Sequence, residues 1–166
     1  MSEAVLSFED LQDPYGIQFW PTFKGRDGCR TPMVWSHNEP SGGFTTGKPW
    51  LPVPPEHIHL AADAQEGDSQ SLLAHYRRAL AFRAGHPEFA KGSIRFLEGN
   101  EHILVFERQL GGSVILCAIN LSEHGSEIAF PWDATEFLAA PGAVTGLVNG
   151  RLALPAFGSA FARLAD

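Results

Sequence analysis

Apolar residues keep a helical period in one stretch of the chain and a strand period in another, and keep neither over the first 67 positions. Between Asp68 and Gly85, the residues Leu72, Leu73, Tyr76, Ala79, Leu80 and Arg83 fall at i, i+1, i+4, i+7, i+8 and i+11, which is one face of an α-helix. Asp68 or Ser69 is placed to cap the start, and Gly85 followed by His86-Pro87 ends it. Glycine accepts the left-handed angles that close a helix, and proline cannot continue one. The pattern predicts an amphipathic helix over 68–85, with His75, Arg77 and Arg78 off the apolar stripe.

From residue 92 the pattern shortens to alternating runs broken by turn residues. Ser93–Glu98 and His102–Gln109 flank Gly99-Asn100, and Gly111-Gly112 leads into Ser113–Leu121, an apolar run suited to a buried strand. Val144–Val148 and Arg151–Leu154 flank Asn149-Gly150, a dipeptide that accepts the positive φ angles of a tight hairpin, and Phe157–Leu164 closes the chain. Six or more short strands at this spacing predict an antiparallel β-sandwich of Greek-key type over 92–166. A unit of that size buries only about 60% of its unfolded surface, so its stability alone is marginal.

Residues 1–67 have no such regularity. Eight of the twelve prolines and three of the four tryptophans fall within the first 55 positions. Tyr15, Phe19, Trp20, Phe23, Trp35, Phe44 and Trp50 are too many aromatics for a disordered linker, yet no regular element offers them a surface. The segment is expected to be mobile or held by intermolecular contacts. The predicted fold is therefore mainly β, a C-terminal sandwich preceded by one amphipathic helix and a long irregular segment.

At 44% hydrophobic and 19% charged residues the chain reads as soluble and globular. Its formal charge of −7 argues against nucleic acid, whose phosphates call for clustered Lys and Arg. The opening MSEAVLSFEDLQDP carries acids where a secretory signal carries positive charge, and no long apolar run follows. Neither export nor a membrane span is expected, and the reading is cytoplasmic. Cys29 and Cys117 then read as free thiols, not as a disulfide framework.

The stretch that carries chemistry is GRDGCRTPMVW, residues 25–35. It sets Arg26 and Arg30 around a Gly-flanked acid, then fixes the exit with Thr31-Pro32 and an apolar Met33-Val34-Trp35 anchor. Glycine permits unusual backbone angles and Pro32 drives Thr31 toward an extended conformation. Such a loop can aim two guanidinium forks at carboxylates or vicinal hydroxyls. Spacing alone favours the structural alternative, in which the arginines pair with local acids such as Asp27, because structural ion pairs are common.

Together with GGFTTGKPWLPV (42–53), FEDLQDPYG (8–16) and SLLAHYRRALAFRAGHPEF (71–89), this stretch resembles the α-glucosidase and oligo-1,6-glucosidase branch of glycoside hydrolase family 13. The resemblance implies that residues 1–91 are the end of a (β/α)8 barrel, namely the long loop after its last strand and its last helix, and that 92–166 is the appended sandwich. It also implies that Arg26 and Arg30 bind substrate in a glucose pocket. Val34, Ser36 and Ser41 stand where the family more often has other residues. A retaining glycosidase works with two carboxyl groups about 5–5.5 Å apart. The family's carboxylate motifs do not occur here, and Glu9, Asp10, Asp13, Asp27 and Glu39 do not match them. No catalytic residue is therefore assigned, and the chain alone is expected to be inactive.

The expected function is the C-terminal piece of a retaining α-glucosidase acting on terminal α-linked glucose of short oligosaccharides. Its expected partners are α-glucosides, an upstream catalytic chain or a second copy, with no cofactor. A non-catalytic sugar- or protein-binding sandwich, using Trp132 and scattered phenylalanines, is the alternative; a truncated reading frame is a third. His57-x-His59 supplies too few ligands for a metal site, so none is expected. Asn120-Leu121-Ser122 fits a glycosylation sequon but ends a core strand, and Cys29 lacks the partners of a catalytic thiol.

Overall fold

Prolines decide where the irregular half of the chain turns into helix. α1 (Pro14–Gln18) and α2 (Pro55–Ile58) both begin on a proline, whose missing N–H is not needed at the first helical position. α3 (Ala62–Glu66) follows, and α4 (Leu72–Gly85) is the long helix. The structure is a computed structural model that describes residues 3–165. It divides into two compact units, residues 1–75 and 76–166.

The first unit is irregular, as the pattern predicts, but it is not without a core. Ala4, Leu6, Leu11 and Leu51 are buried together, with Trp20 packed on them. Val34 is wholly buried, and the carbonyls of Val34 and Trp35 accept from the amides of Ala62 and Asp63 at 3.0 and 3.1 Å. These tertiary bonds replace the regular ladders that the sequence lacks. The other aromatics stay outside: Tyr15, Phe19, Phe23, Trp35, Phe44 and Trp50 are all exposed. Of the Met33-Val34-Trp35 anchor, only Val34 is buried.

Helix α4 starts later than the pattern suggested because Ser71 caps it. The Ser71 hydroxyl oxygen accepts the Ala74 amide at 3.1 Å while its O–H donates to the Gln65 carbonyl at 2.8 Å. Asp68 instead closes the preceding turn, accepting the Gln70 amide at 2.8 Å. Leu72, Tyr76 and Leu80, three members of the expected stripe, are 62%, 59% and 62% exposed. Phe82 of α4 is half-buried and packs on Ile115, Cys117 and Leu138.

In the second unit α5 (Glu88–Lys91) leads into the eight strands found among the described residues. They are β1 (Ser93–Leu97), β2 (Ile103–Leu110), β3 (Ser113–Asn120), β4 (Ser126–Ala129), β5 (Ala134–Phe137), β6 (Ala143–Val144), β7 (Arg151–Leu154) and β8 (Ser159–Leu164). The larger sheet runs β1-β2-β3-β8-β5, and β6 pairs β8 in parallel beside β5. Gly111-Gly112 makes the two-residue turn between β2 and β3, with Leu110 opposite Ser113. The smaller sheet is β4 with β7. Leu152 and Leu154 of β7 meet Ile103, Val105, Leu116, Ala118, Ala160 and Ala162 of the larger sheet, so two faces close one sandwich core. On the opposite face Ile115, Cys117 and Leu138 pack with Phe82, Phe89, Phe106 and Phe161.

The fold is mainly β, a sandwich preceded by a helix and an irregular segment, and the eight strands among the described residues agree with the six or more that the pattern predicts. The Asn149-Gly150 hairpin is only partly formed. Both residues take positive φ, 50° and 73°, and Val148 bridges Arg151, but β7 pairs with β4 instead. Leu147 and Val148 stay 40% and 63% exposed, whereas Leu152 and Leu154 are buried in the sandwich core. Burial of β7 outweighs the local turn.

Glu88 locks α5 to the sheet: it accepts the Ser113 hydroxyl at 2.6 Å and Arg163 Nη1 at 3.0 Å, and Arg163 also reaches Ser113. The Ser113 hydrogen bond, opposed by burial and helped by Arg163, holds the Glu88 carboxyl at about 2 instead of 4.5. A carboxyl lowered on folding stabilises fully above its unfolded pKa and loses that contribution as pH falls through the folded one. Thermal melts should therefore show the second unit weakening between pH 4.5 and about 2, and Glu88→Gln should flatten that slope. Parallel pH profiles for the two proteins would contradict this role.

Candidate functional site

Asp13 is the residue that organises the arginine loop. It sits just before the proline that opens α1 and is 2% exposed. One carboxylate oxygen accepts the Tyr15 amide at 3.0 Å, which caps α1. The other accepts the Arg26 amide at 3.0 Å and Arg26 Nε at 3.3 Å, with Arg30 Nη1 at 3.8 Å. Burial works against the charge of Asp13, yet the amides of Tyr15 and Arg26 and the Arg26 guanidinium outweigh it and hold the carboxyl below its usual value. Gly25, at φ 74°, lets the loop close on this acid, because a Cβ there would stand 3.0 Å from the Asp13 side chain.

Arg26 and Arg30 flank a single 3-10 turn, Asp27–Cys29. Their side chains are 66% and 41% exposed, so each is tied at one point to a buried acid and open elsewhere. The structure thus brings the two predicted binding residues onto one carboxylate. That carboxylate is not Asp27, the neighbour that spacing suggested. Asp27 is fully buried and turned inward, where Oδ2 accepts the amides of Gln12 and Asp13 at 2.6 and 2.7 Å. It braces the strand of chain that carries Asp13. The signal for Asp13 was present in the sequence, since an aspartate directly before a proline is a helix-start signature. Glu9, Asp10 and Glu39 lie on the surface.

Other constellations have structural explanations. His37 and Asp63 form a pair, Nδ1 to Oδ1 at 3.0 Å, and Asp63 also accepts the His37 amide. The His37 hydrogen bond first of all, against burial, lowers the Asp63 carboxyl to about 2. The other imidazole nitrogen faces Asn38 Nδ2 at 2.8 Å, so the pair does not activate a nucleophile; it fastens the loop to α3. His57 is buried in α2 while His59 is exposed. Among the described residues no group of three or more His, Cys, Asp or Glu could hold a metal ion, and no helix is long and apolar enough to cross a membrane. Asn120 spends its side chain on the carbonyls of His124 and Pro155 at 2.7 and 2.8 Å and on Ser122. Cys29 is exposed and Cys117 buried, both as free thiols.

Residues 1–92, which include this whole loop, match the sequence profile described as Alpha amylase, catalytic domain. The chain belongs to the α-amylase family. Within that family it is 50% identical over 165 residues to a probable α-glucosidase of Rhizobium meliloti, covering 99% of this chain and 30% of the relative. It is 33% identical over 121 residues to an oligo-1,6-glucosidase of Parageobacillus thermoglucosidasius, covering 72% of this chain and 21% of the relative. Its structure superposes on the crystal structure of the α-glucosyl transfer enzyme XgtA with a TM-score of 0.86 at 46% identity, covering 99% of this chain and 31% of that one. The chain thus spans between about a fifth and a third of the length of these α-amylase family proteins.

Replacing Asp27 by Ala leaves the amides of Gln12 and Asp13 out of water with no acceptor. Each lost acceptor of this kind costs about 1–3 kcal/mol. The Asp27→Ala protein should be cleaved by a protease within residues 3–67 well before the wild type, with the second unit left resistant. Cleavage at the wild-type rate would show that the brace contributes nothing.

Proposed function

We propose that this chain is the part of a retaining α-glucosidase that supplies Arg26 and Arg30 to the glucose pocket, the catalytic carboxylates lying outside it. The observation that carries this reading is the pair of partly exposed guanidiniums held on one buried acid within a segment of the α-amylase catalytic domain. A guanidinium stays protonated and cannot act as a general acid or base. Its contribution is to bind and orient sugar hydroxyls or a carboxylate in the pocket. Glycosidic cleavage then needs a nucleophile and an acid, two carboxyl groups about 5–5.5 Å apart. The substrate class is α-linked glucosides, in keeping with the α-glucosidase and oligo-1,6-glucosidase names of the relatives.

A second reading, α-glucosyl transfer, is favoured by the similarity to XgtA. The two reactions share the glucosylated intermediate and differ only in whether water or a sugar hydroxyl takes the glucose. The binding-module alternative gains less from Trp132, which is half-buried against the core beside Phe130, with ring centroids 5.3 Å apart.

The isolated chain should release no nitrophenol from nitrophenyl α-glucoside, and turnover by the pure chain would overturn the reading. Substituted for the matching segment of the Rhizobium meliloti relative, it should support turnover. In that chimera Arg30→Ala should lower kcat/KM by ~1.5–3 kcal/mol, about tenfold or more. A change within about twofold would make Arg30 structural, and sugar products in place of free glucose would select transfer.

A further inference from the structure

The C-terminal part of α4 and the aromatic face of the larger sheet line an open pocket of about 360 Å³ that the glucose-pocket reading does not use. Its wall is made by Phe82, Phe89, Phe106 and Phe161. Phe82 lies 5.5 Å from Phe89 and 5.4 Å from Phe161, centroid to centroid, and Phe89 meets Phe161 edge-on at 5.7 Å. That volume and that apolar lining are those of a small-molecule site.

Two arginines, Arg83 and Arg108, line it as well, beside Ala79, Ala140, Pro141 and Ser159, and no Asp or Glu lies among them. In a chain of formal charge −7 this is an unusual place to leave two cations. Neighbouring acids are already committed, Glu88 to Arg163 and Ser113, and Glu107 to Arg95 through two bonds of 2.6 and 2.9 Å. Among the described residues neither Arg83 nor Arg108 makes an ion pair. Arg108 gives Nη2 to the Gly92 carbonyl at 2.7 Å, while its Nε is buried with no acceptor. A buried donor left unsatisfied is costly, and a charge-assisted bond to an anion relieves that cost.

We infer that this pocket binds a small aryl carboxylate, its ring among the four phenylalanines and its carboxylate on Arg83 and Arg108. The planar guanidinium fork matches a carboxylate in two bonds, and the rings supply edge and face contacts to a flat apolar body.

The test uses the full chain, 2-naphthoate as probe and 2-naphthylmethanol as its uncharged counterpart, followed by amide shifts in NMR. Naphthoate should bind saturably with a Kd of about 1 mM or tighter, shifting the amides of Phe82, Phe89, Phe106 and Phe161. Arg83→Gln, on the surface and without a structural bond to lose, should weaken it about tenfold, and the alcohol should bind at least that much more weakly. Arg108→Gln should weaken it as well, with the wild-type amide pattern checked to show that the sheet is intact. Equal binding of acid and alcohol, unchanged affinity in Arg83→Gln, or no saturable shift would overturn the assignment.

Discussion

A carboxylate withdrawn from water has to be compensated where it sits, and Asp13 is compensated by the loop that carries both arginines. That constraint orders the first unit. It caps α1, brings Arg26 and Arg30 to one point, and requires Gly25 to adopt a conformation that leaves room for the acid. Asp27 supports it from behind by accepting the amides of Gln12 and Asp13. Two buried aspartates therefore do for this irregular segment what a ladder of backbone bonds does for a sheet. Surface ion pairs contribute little by themselves; this one differs because its acid is out of water and bonded on several sides.

The second unit rests on different physics. β3 and β8 lie at the centre of the larger sheet and are alternately buried against the small β4–β7 sheet and against the phenylalanine cluster. Its stability is a matter of packed apolar surface, with the Glu88–Arg163–Ser113 cluster fixing α5 in place. The contrast explains why the two halves of the chain look so unlike as sequences. One buries side chains by period, the other by individual polar contacts.

Periodic elements were legible for that reason. β1, β2, β3 and β8 follow the alternating runs within a residue or two, and α4 follows its apolar spacing apart from a start shifted to Ser71. Short polar strands were not legible: β4 (Ser126–Ala129) and β5 (Ala134–Phe137) carry too few apolar residues to announce themselves, and they exist because a partner strand is already there. The Asn149-Gly150 turn was read correctly as a turn and incorrectly as a full hairpin, since turn chemistry does not say which strand will bury the following leucines. At the candidate site the loop alone left Arg26 and Arg30 open between binding and a local ion pair, and the acid that holds them lies thirteen residues before Arg26 and could not be ranked by proximity.

The carboxyl of Asp13 offers the most direct test of this account. Its 13Cγ resonance in NMR should titrate below the ordinary aspartate value of 3.8, and the Nε–H resonance of Arg26 should move with the same midpoint. Titration at or above 3.8, or an Arg26 resonance indifferent to it, would mean that the arginines are not held by this acid.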